Sequence, residues 1–459
     1  MKIIDAADFD AYWKDREVPD GEDSEAAVNA AALEIIGAVR QRGDAALRDY
    51  AARFDKTSPE HLEVSGETVH AAGERLRREE EDLAASISLA ADHIRRFAEL
   101  QKKQLVPFEE ELDRGLFCGQ RVIPVERAAV YVPAGRFPLF SSVLMGVIPA
   151  LTAGVKEIVL ASPPMEDGLP DRYVLAAAAL ACPEEGSLRV FAMGGAQAIA
   201  ALAFGTESIP RAAVITGPGN KYVAAAKRLI FGRAGIDFVA GPTDVLIITE
   251  DRDSSPSGKA ETADLTAADM LAQAEHDPDA RARVMVPGEG AAKKTAAALE
   301  RRLAALPGYS RQNAAASLEE GGLIIVYHSR EEAIRIANLI APEHLELHVK
   351  NAAPWMEPDS SGNFLKNYGS LFNGPLSAEV LGDYSAGINH TLPTSGSARF
   401  TGGLSVRHFL KTPTTLRCVP GPGLERALEA AERMGRAEGL AAHGESAALR
   451  RGIDLEKWT

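Results

Sequence analysis

Glu343 and His344 stand side by side in APEHLEL, where a helical stretch and then Pro342 place them at a bend. A carboxylate and an imidazole held together can divide proton work, one activating water while the other takes a hydroxyl proton. Surface turn residues are the competing reading of the same pair. Gln273 and His276, three apart near the end of a helix in AADMLAQAEHDPDA, can turn both side chains toward one point, as a metal site requires. A histidine at a helix end is more often a cap or a solvated residue, so this pair is weak by itself. Asp383, in a Gly-rich segment, and Glu438 and His443, in the C-terminal helical stretch, add oxygen and nitrogen donors. The last two do not share a helical face by spacing alone. Gly135, Gly194-Gly195 and Gly217-Pro218-Gly219-Asn220 each come shortly before a helix, whose N-terminus favours phosphate. The third glycine of the dinucleotide fingerprint is missing, and no acidic residue can be placed after a first strand. Nucleotide binding therefore competes with tight structural turns.

These residues need elements to position them. From residue 24 to about 104 apolar residues recur at helical spacing (Ala32, Leu33, Ile36, Val39; then Leu83, Ile87, Ala90, Ile94, Phe97), which predicts amphipathic helices with solvated charged faces. After Arg127 the pattern alternates. Strands are expected at 129–132, 157–160, 189–193 and 212–216, with helices at 143–151, 173–181, from Ala196 and from about Lys221. A second set follows Gly241, with strands at 245–249, 283–286 and 323–327 and helices at 266–275, 291–306 and 330–339. Strands separated by helices of this length imply parallel sheets covered on both faces. Segments 254–260 and 359–363 are polar and turn-rich, and read as surface loops. The tail is expected to be helical from 424 to 449.

The fold class is thus α/β, with two Rossmann-like parallel-sheet domains, N-terminal helices and a small C-terminal helical arm. Its expected divisions are an N-terminal segment 1–24, a first α/β domain from 25–130 plus 240–382 carrying the metal and catalytic pair, a nucleotide domain 131–239 and the arm 383–459. The 459 residues exceed one ordinary domain of about 100–200 residues. A net charge of -15 argues against nucleic acid as main partner, because phosphate backbones would be repelled. Cys118, Cys182 and Cys418 have no short spacing, which disfavours a thiolate metal site and a disulfide framework and fits a reducing compartment. With no signal-peptide pattern and no run of about 18 apolar residues, a soluble cytoplasmic protein without membrane contact is expected.

The segments VYVPAG, SSVLMGVIPALTAGVKEIVLASPP, GGAQAIAALAFGTESI, GPGNKYVAAAKRLIFG, GIDFVAGPTDVLIITE, DMLAQAEHDPDA, NLIAPEHLEL and GDYSAGINHTLPTSGSARF follow one another as in the histidinol dehydrogenase family. From about residue 25 to 450 the chain resembles that family. The resemblance implies a zinc- and NAD-dependent enzyme that oxidises L-histidinol to L-histidine through a bound aldehyde, the last step of histidine biosynthesis. It places one Zn2+ per subunit on Gln273, His276, Asp383 and His443, and the catalytic pair on Glu343 and His344. Substrate contacts fall on Thr243, His344 and Glu438 together with the four metal donors, and NAD contacts on Tyr131, Gln197 and Asn220. Oxygen and imidazole donors without thiolate suit Zn2+ and also Mn2+ or Co2+. The resemblance further implies an intertwined homodimer whose arm supplies His443 and Glu438 to the neighbouring site.

Some residues depart from the biosynthetic pattern. Thr243 stands where the family usually has Ser, and Ala134 replaces a common Gly. Asn367-Tyr368-Gly369 and Thr401-Gly402-Gly403-Leu404 are similar to the sulfopropanediol dehydrogenase branch, whereas Ser141-Ser142 and 395–400 are similar to the histidinol enzymes. The alternative is therefore a related zinc/NAD dehydrogenase of another small polar alcohol such as 2,3-dihydroxypropane-1-sulfonate. A non-catalytic nucleotide-binding protein would not need an acid/base pair beside metal donors.

Overall fold

A computed structural model describes residues 1–14, 22–55, 57, 59–134, 138–182, 186–250 and 262–453. Gly135 and the loop expected at 254–260 lie outside the described residues.

The apolar runs form the strands of two six-stranded sheets. In the first, the order across the sheet is Lys2–Asp5, Leu323–Val326, Arg281–Val286, Asp244–Thr249, His344–His348 and Ser370–Asn373, and every pairing is parallel. All six residues of Asp244–Thr249 are buried, as a strand covered by helices on both faces requires. The chain steps from this strand outward through 281–286 to 323–326, then returns to lay His344–His348 along its other side. The direction of strand order thus reverses between Asp244–Thr249 and His344–His348. One face buries Leu246, Ile248, Leu345 and Leu347 with Phe9 and Ile336. The other buries Val245 and Ile247 against Ala267, Met270 and Ala274 of helix Thr262–Ala274.

The second sheet runs Gly235–Ile236, Val214–Thr216, Arg127–Tyr131, Glu157–Ser162, Leu188–Ala192 and Glu63–Val64, with only the last antiparallel to its neighbour. Its order also reverses, between Arg127–Tyr131 and Val214–Thr216. Residues 25–130 were expected with the 240–382 block, but helices Glu22–Arg42 and Asp44–Phe54 pack on the second sheet's side instead. Ile35, Ile36, Val39, Leu47 and Tyr50 join one core with Ile199, Leu202 and Ile215, because their apolar stripe covers helices Gly195–Phe204 and Lys221–Ile230.

Both sheets belong to one compact unit, Met1–Glu99 with Val125–Phe409; a second unit comprises Leu100–Pro124 and Leu410–Thr459. The expected arm therefore begins at Leu410 rather than at 383, since residues 383–409 are tied into the first unit by bonds such as Asn389 Nδ2 to the Met145 carbonyl at 2.8 Å. In the second unit Thr414–Cys418 pairs antiparallel with Leu116–Gln120, which pairs with Phe108–Asp113. The single helix expected over 424–449 is two, Pro422–Ala437 and Ala441–Ala448, interrupted where Gly439 takes a φ of 78°. Among the described residues no helix is long and apolar enough to cross a membrane.

Candidate active site and metal centre

Glu343 and His344 are buried, not surface turn residues. Ala341 adopts the left-handed conformation at the end of helix Arg330–Ile340, Pro342 follows, and His344 opens the strand His344–His348. Asp244, at the start of the neighbouring strand, fixes this corner with both carboxylate oxygens. One accepts from the Glu343 N–H at 3.1 Å and the other from Arg283 at 3.0 Å, inside a buried ion pair. The site therefore sits at the amino ends of the parallel strands.

The hydrogen bonds assign the imidazole its task. His344 Nδ1 lies 3.3 Å from the Asp244 carbonyl, which can only accept, so Nδ1 carries the proton. Nε2 is left with its lone pair free, and among the described residues it has no partner although it is buried. Burial holds this imidazole below its ordinary pKa, against the opposing pull of Asp383 and Asp244, so it is a neutral base at pH 7. Glu343 is pushed the other way. Burial raises its carboxyl well above the usual carboxylate range, while the Thr243 hydroxyl at 2.5 Å favours the ionised form. Gln273 satisfies its neighbours when its amide nitrogen faces Glu379 at 2.5 and 3.2 Å and its oxygen accepts from Thr243 at 2.7 Å. The single Thr243 proton is shared between the Gln273 oxygen and Glu343 Oε2, which also accepts from the Asp244 N–H at 3.1 Å.

Several donors converge beside this pair. Asp383 Oδ2 is 3.7 Å from His276 Nε2, and Asp383 Oδ1 is 3.9 Å from His344 Nε2. His344, Glu379 and Asp383 each offer a ligand atom within 4.8 Å of the others. The His344 nitrogen, unpartnered among the described residues and facing buried carboxylates, fits a divalent cation, and His276 and Asp383, with Gln273 beside Glu379, are residues that could hold one. Helix Thr262–Ala274 ends beside them, and its C-terminal dipole also favours positive charge. His390 supports this corner, since its Nδ1 lies 3.0 Å from the Asp383 carbonyl. Glu438 and His443 are exposed on the second unit, Glu438 capping one helix and His443 inside the next.

The other expected contacts lie at the carboxyl ends of the second sheet. Tyr131 ends its strand with a buried phenol that accepts from the Gly195 N–H at 3.0 Å and is pushed up to about 12 by burial. Gly217 has a φ of 111°, and a Cβ there would lie 2.0 Å from the Tyr131 carbonyl oxygen, so only glycine fits. Asn220 caps helix Lys221–Ile230, accepting from the N–H groups of Tyr222 and Val223 at 3.0 and 3.1 Å. Gln197 is buried with an unpartnered Oε1 in the first turn of helix Gly195–Phe204. A side-chain oxygen unsatisfied among the described residues, close to two helix N-termini, could meet a nucleotide.

Sequence reasoning missed Glu379, Asp269, Glu346 and His348. Glu379 is buried against His344, and burial followed by the charges of Asp383, Glu346 and Glu343 raises its carboxyl well above the ordinary range. The signal was present. Glu379 is four residues before Asp383 on helix Glu379–Tyr384, Asp269 is four before Gln273, and Glu346 and His348 continue the alternation begun by His344.

Parallel sheets that present helix N-termini at one end and a base with cation donors at another define a two-sheet α/β dehydrogenase. The model of the family described as histidinol dehydrogenase matches residues 19–451. The histidinol dehydrogenase of Methylococcus capsulatus is 41% identical over 97% of this chain and 96% of its own length. That of Thermus thermophilus is 43% identical over 91% of this chain and 93% of its own. A crystal structure of histidinol dehydrogenase from Elizabethkingia anophelis superposes with a TM-score of 0.83 at 34% identity, covering 94% of this chain and 93% of that one. The chain belongs to the histidinol dehydrogenase family, whose members are zinc- and NAD-dependent oxidoreductases.

Proposed function

We propose that the chain oxidises L-histidinol to L-histidine by way of the aldehyde, closing histidine biosynthesis, with Glu343 and His344 moving the protons. The observation that carries this reading is the buried His344 Nε2, without a partner among the described residues and 3.9 Å from Asp383 in a whole-chain family match. Gln273, His276 and Asp383 would hold Zn2+ from this chain, and Tyr131, Gln197 and Asn220 would contact NAD. When bound, Zn2+ supplies positive charge that orients the substrate's amine and imidazole, and NAD+ accepts one hydride in each of two oxidations. His344 Nε2 takes the alcohol proton in the first oxidation. Glu343 then removes a proton from water as the oxygen adds to the aldehyde carbon. His344, after releasing its first proton to solvent, takes the remaining hydroxyl proton of the resulting hydrate in the second oxidation, leaving the carboxylate. Thr243 and Glu438 complete the substrate contacts with the metal donors.

Further parts of the reading concern assembly. His443 and Glu438 of the partner subunit reach the site in a homodimer, which accords with the exposure of both side chains. Residues 131–239 serve as the nucleotide domain, the 240–382 block carries the chemistry, and the enzyme works in the cytoplasm. Mixing His443→Ala with His344→Ala subunits should restore part of the activity; complete failure after verified subunit exchange counts against sharing. For the reaction itself, anaerobic chelation should abolish NADH formation from L-histidinol and added Zn2+ should restore it. NADH from 2,3-dihydroxypropane-1-sulfonate with none from histidinol would replace the substrate.

A further inference from the structure

Along the strand His344–His348 the side chains of His344, Glu346 and His348 share one face, the face covered by helix Thr262–Ala274. Two residues of strand advance about 6.6 Å, and four residues of helix about 6 Å. Stepping from His344 to Glu346 and from Gln273 back to Asp269 therefore reaches a second level of the same layer, and that level is again ionic. The ligand atoms of Asp269, Glu346 and His348 all lie within 4.8 Å of one another. His348 Nε2 is 3.2 Å from Glu346 Oε2 and 4.0 Å from Asp269 Oδ2.

We propose that Asp269, Glu346 and His348 bind a second divalent cation, distinct from the one beside His344. The independent observation is unsatisfied valence. His348 is only 6% exposed and Glu346 fully buried, yet among the described residues neither ring nitrogen of His348 nor Glu346 Oε2 has a hydrogen-bond partner. His348 Nε2 approaches Glu346 Oε2 to 3.2 Å as an ion pair without meeting hydrogen-bond alignment, and His348 Nδ1 stays unpaired among the described residues. Glu346 is held for this by its other oxygen, which accepts from the Glu379 N–H at 2.8 Å. Leaving such groups unmet costs free energy that a cation recovers. One imidazole with two carboxylates and no thiolate suits Zn2+, Mn2+ or Co2+. Asp269, with 16% of its side chain exposed, marks the side from which ion and water enter.

The site does not depend on the histidinol reading, and metal counting separates the two. Full-length protein is equilibrated with Zn2+, desalted and analysed for metal per chain, with circular dichroism confirming the fold. The wild type should hold two ions per chain, and Asp269→Asn should hold one. A wild type with one ion that Asp269→Asn loses supports this site while counting against the Gln273–His276–Asp383 centre. Equal metal content in the wild type and Asp269→Asn, at one ion or at two, overturns the proposal. Should Asp269→Asn fail to fold, His348→Gln is read by the same count. Co2+ loading adds a second readout, since the visible bands of wild type and variant should differ by one imidazole-bearing centre.

Discussion

The two sheets share a strand order, apart from the antiparallel edge strand Glu63–Val64 of one, and the sites proposed on them lie at opposite strand ends. In the 127–236 sheet the residues proposed to meet NAD follow the strands: Tyr131 ends one, and Gly195 and Asn220 lie at the starts of the next helices. Helix N-termini and glycine turns there favour anions. In the other sheet Thr243 and Glu343 precede their strands, His344 opens one, and Gln273 lies in the last turn of its helix. Helix C-termini and carboxylates there favour cations and protons. Ligand crevices of open α/β sheets ordinarily lie at the carboxyl ends. The second arrangement teaches that the amino end serves when the ligand's charge is reversed.

That contrast can be broken most severely at His344. His344→Asn should lower kcat by about 10^2–10^4-fold while the Kd for NAD+ stays near wild type, because the base and the nucleotide contacts occupy different sheets. A comparable loss of NAD+ affinity, measured by calorimetry, would undo the separation. Glu343→Gln should come next, with a loss of about 10^2-fold or more confined to aldehyde oxidation, so that histidinal accumulates. Since burial raises Glu343, its basic form grows as pH climbs, and wild-type aldehyde oxidation should speed up from neutral into alkaline solution. His344 is shifted down, so it remains an unprotonated base over that range. The variant should lose the alkaline rise, which a pH profile checks.

On the anion side, Gly217→Ala combines a positive φ with a 2.0 Å clash against backbone. It should cost about 2 kcal/mol or more and weaken NAD+ binding, with metal content unchanged. The smallest effect is expected at Asp55, a carboxylate near Tyr131 with one oxygen unpartnered among the described residues, which burial pushes up to about 6. A raised carboxyl favours the folded state when protonated. That contribution is whole below about 3.9 and lost as pH rises through about 6. Asp55→Asn should therefore raise Tm at pH 8 and change little at pH 4, by under about 1 kcal/mol given its partial exposure.

The α/β alternation was legible because each strand is a short apolar run flanked by turn residues. Pairings between distant short segments were not: Glu63–Val64 joins the second sheet through two residues, and Thr414–Cys418 meets Leu116–Gln120 across the chain. Such pairs leave no local period. Helix Gly308–Glu320 was also missed, its sparse apolar residues giving little stripe. In the site, Glu343, His344, Gln273, His276 and Asp383 were read largely from family likeness, and the structure brings all five into one corner. Glu379, Glu346 and His348 carried only a spacing signal, and burial gave it weight, since a carboxylate in sequence looks the same whether solvated or enclosed.

The pleat of His344–His348 gives its alternate residues two unrelated jobs, Leu345 and Leu347 filling oil while His344, Glu346 and His348 handle charge. A single inserted or deleted residue would swap the two sets, driving three ionisable groups into the apolar layer. Natural or laboratory variation can therefore retune this ribbon only by substitution, never by a change of length.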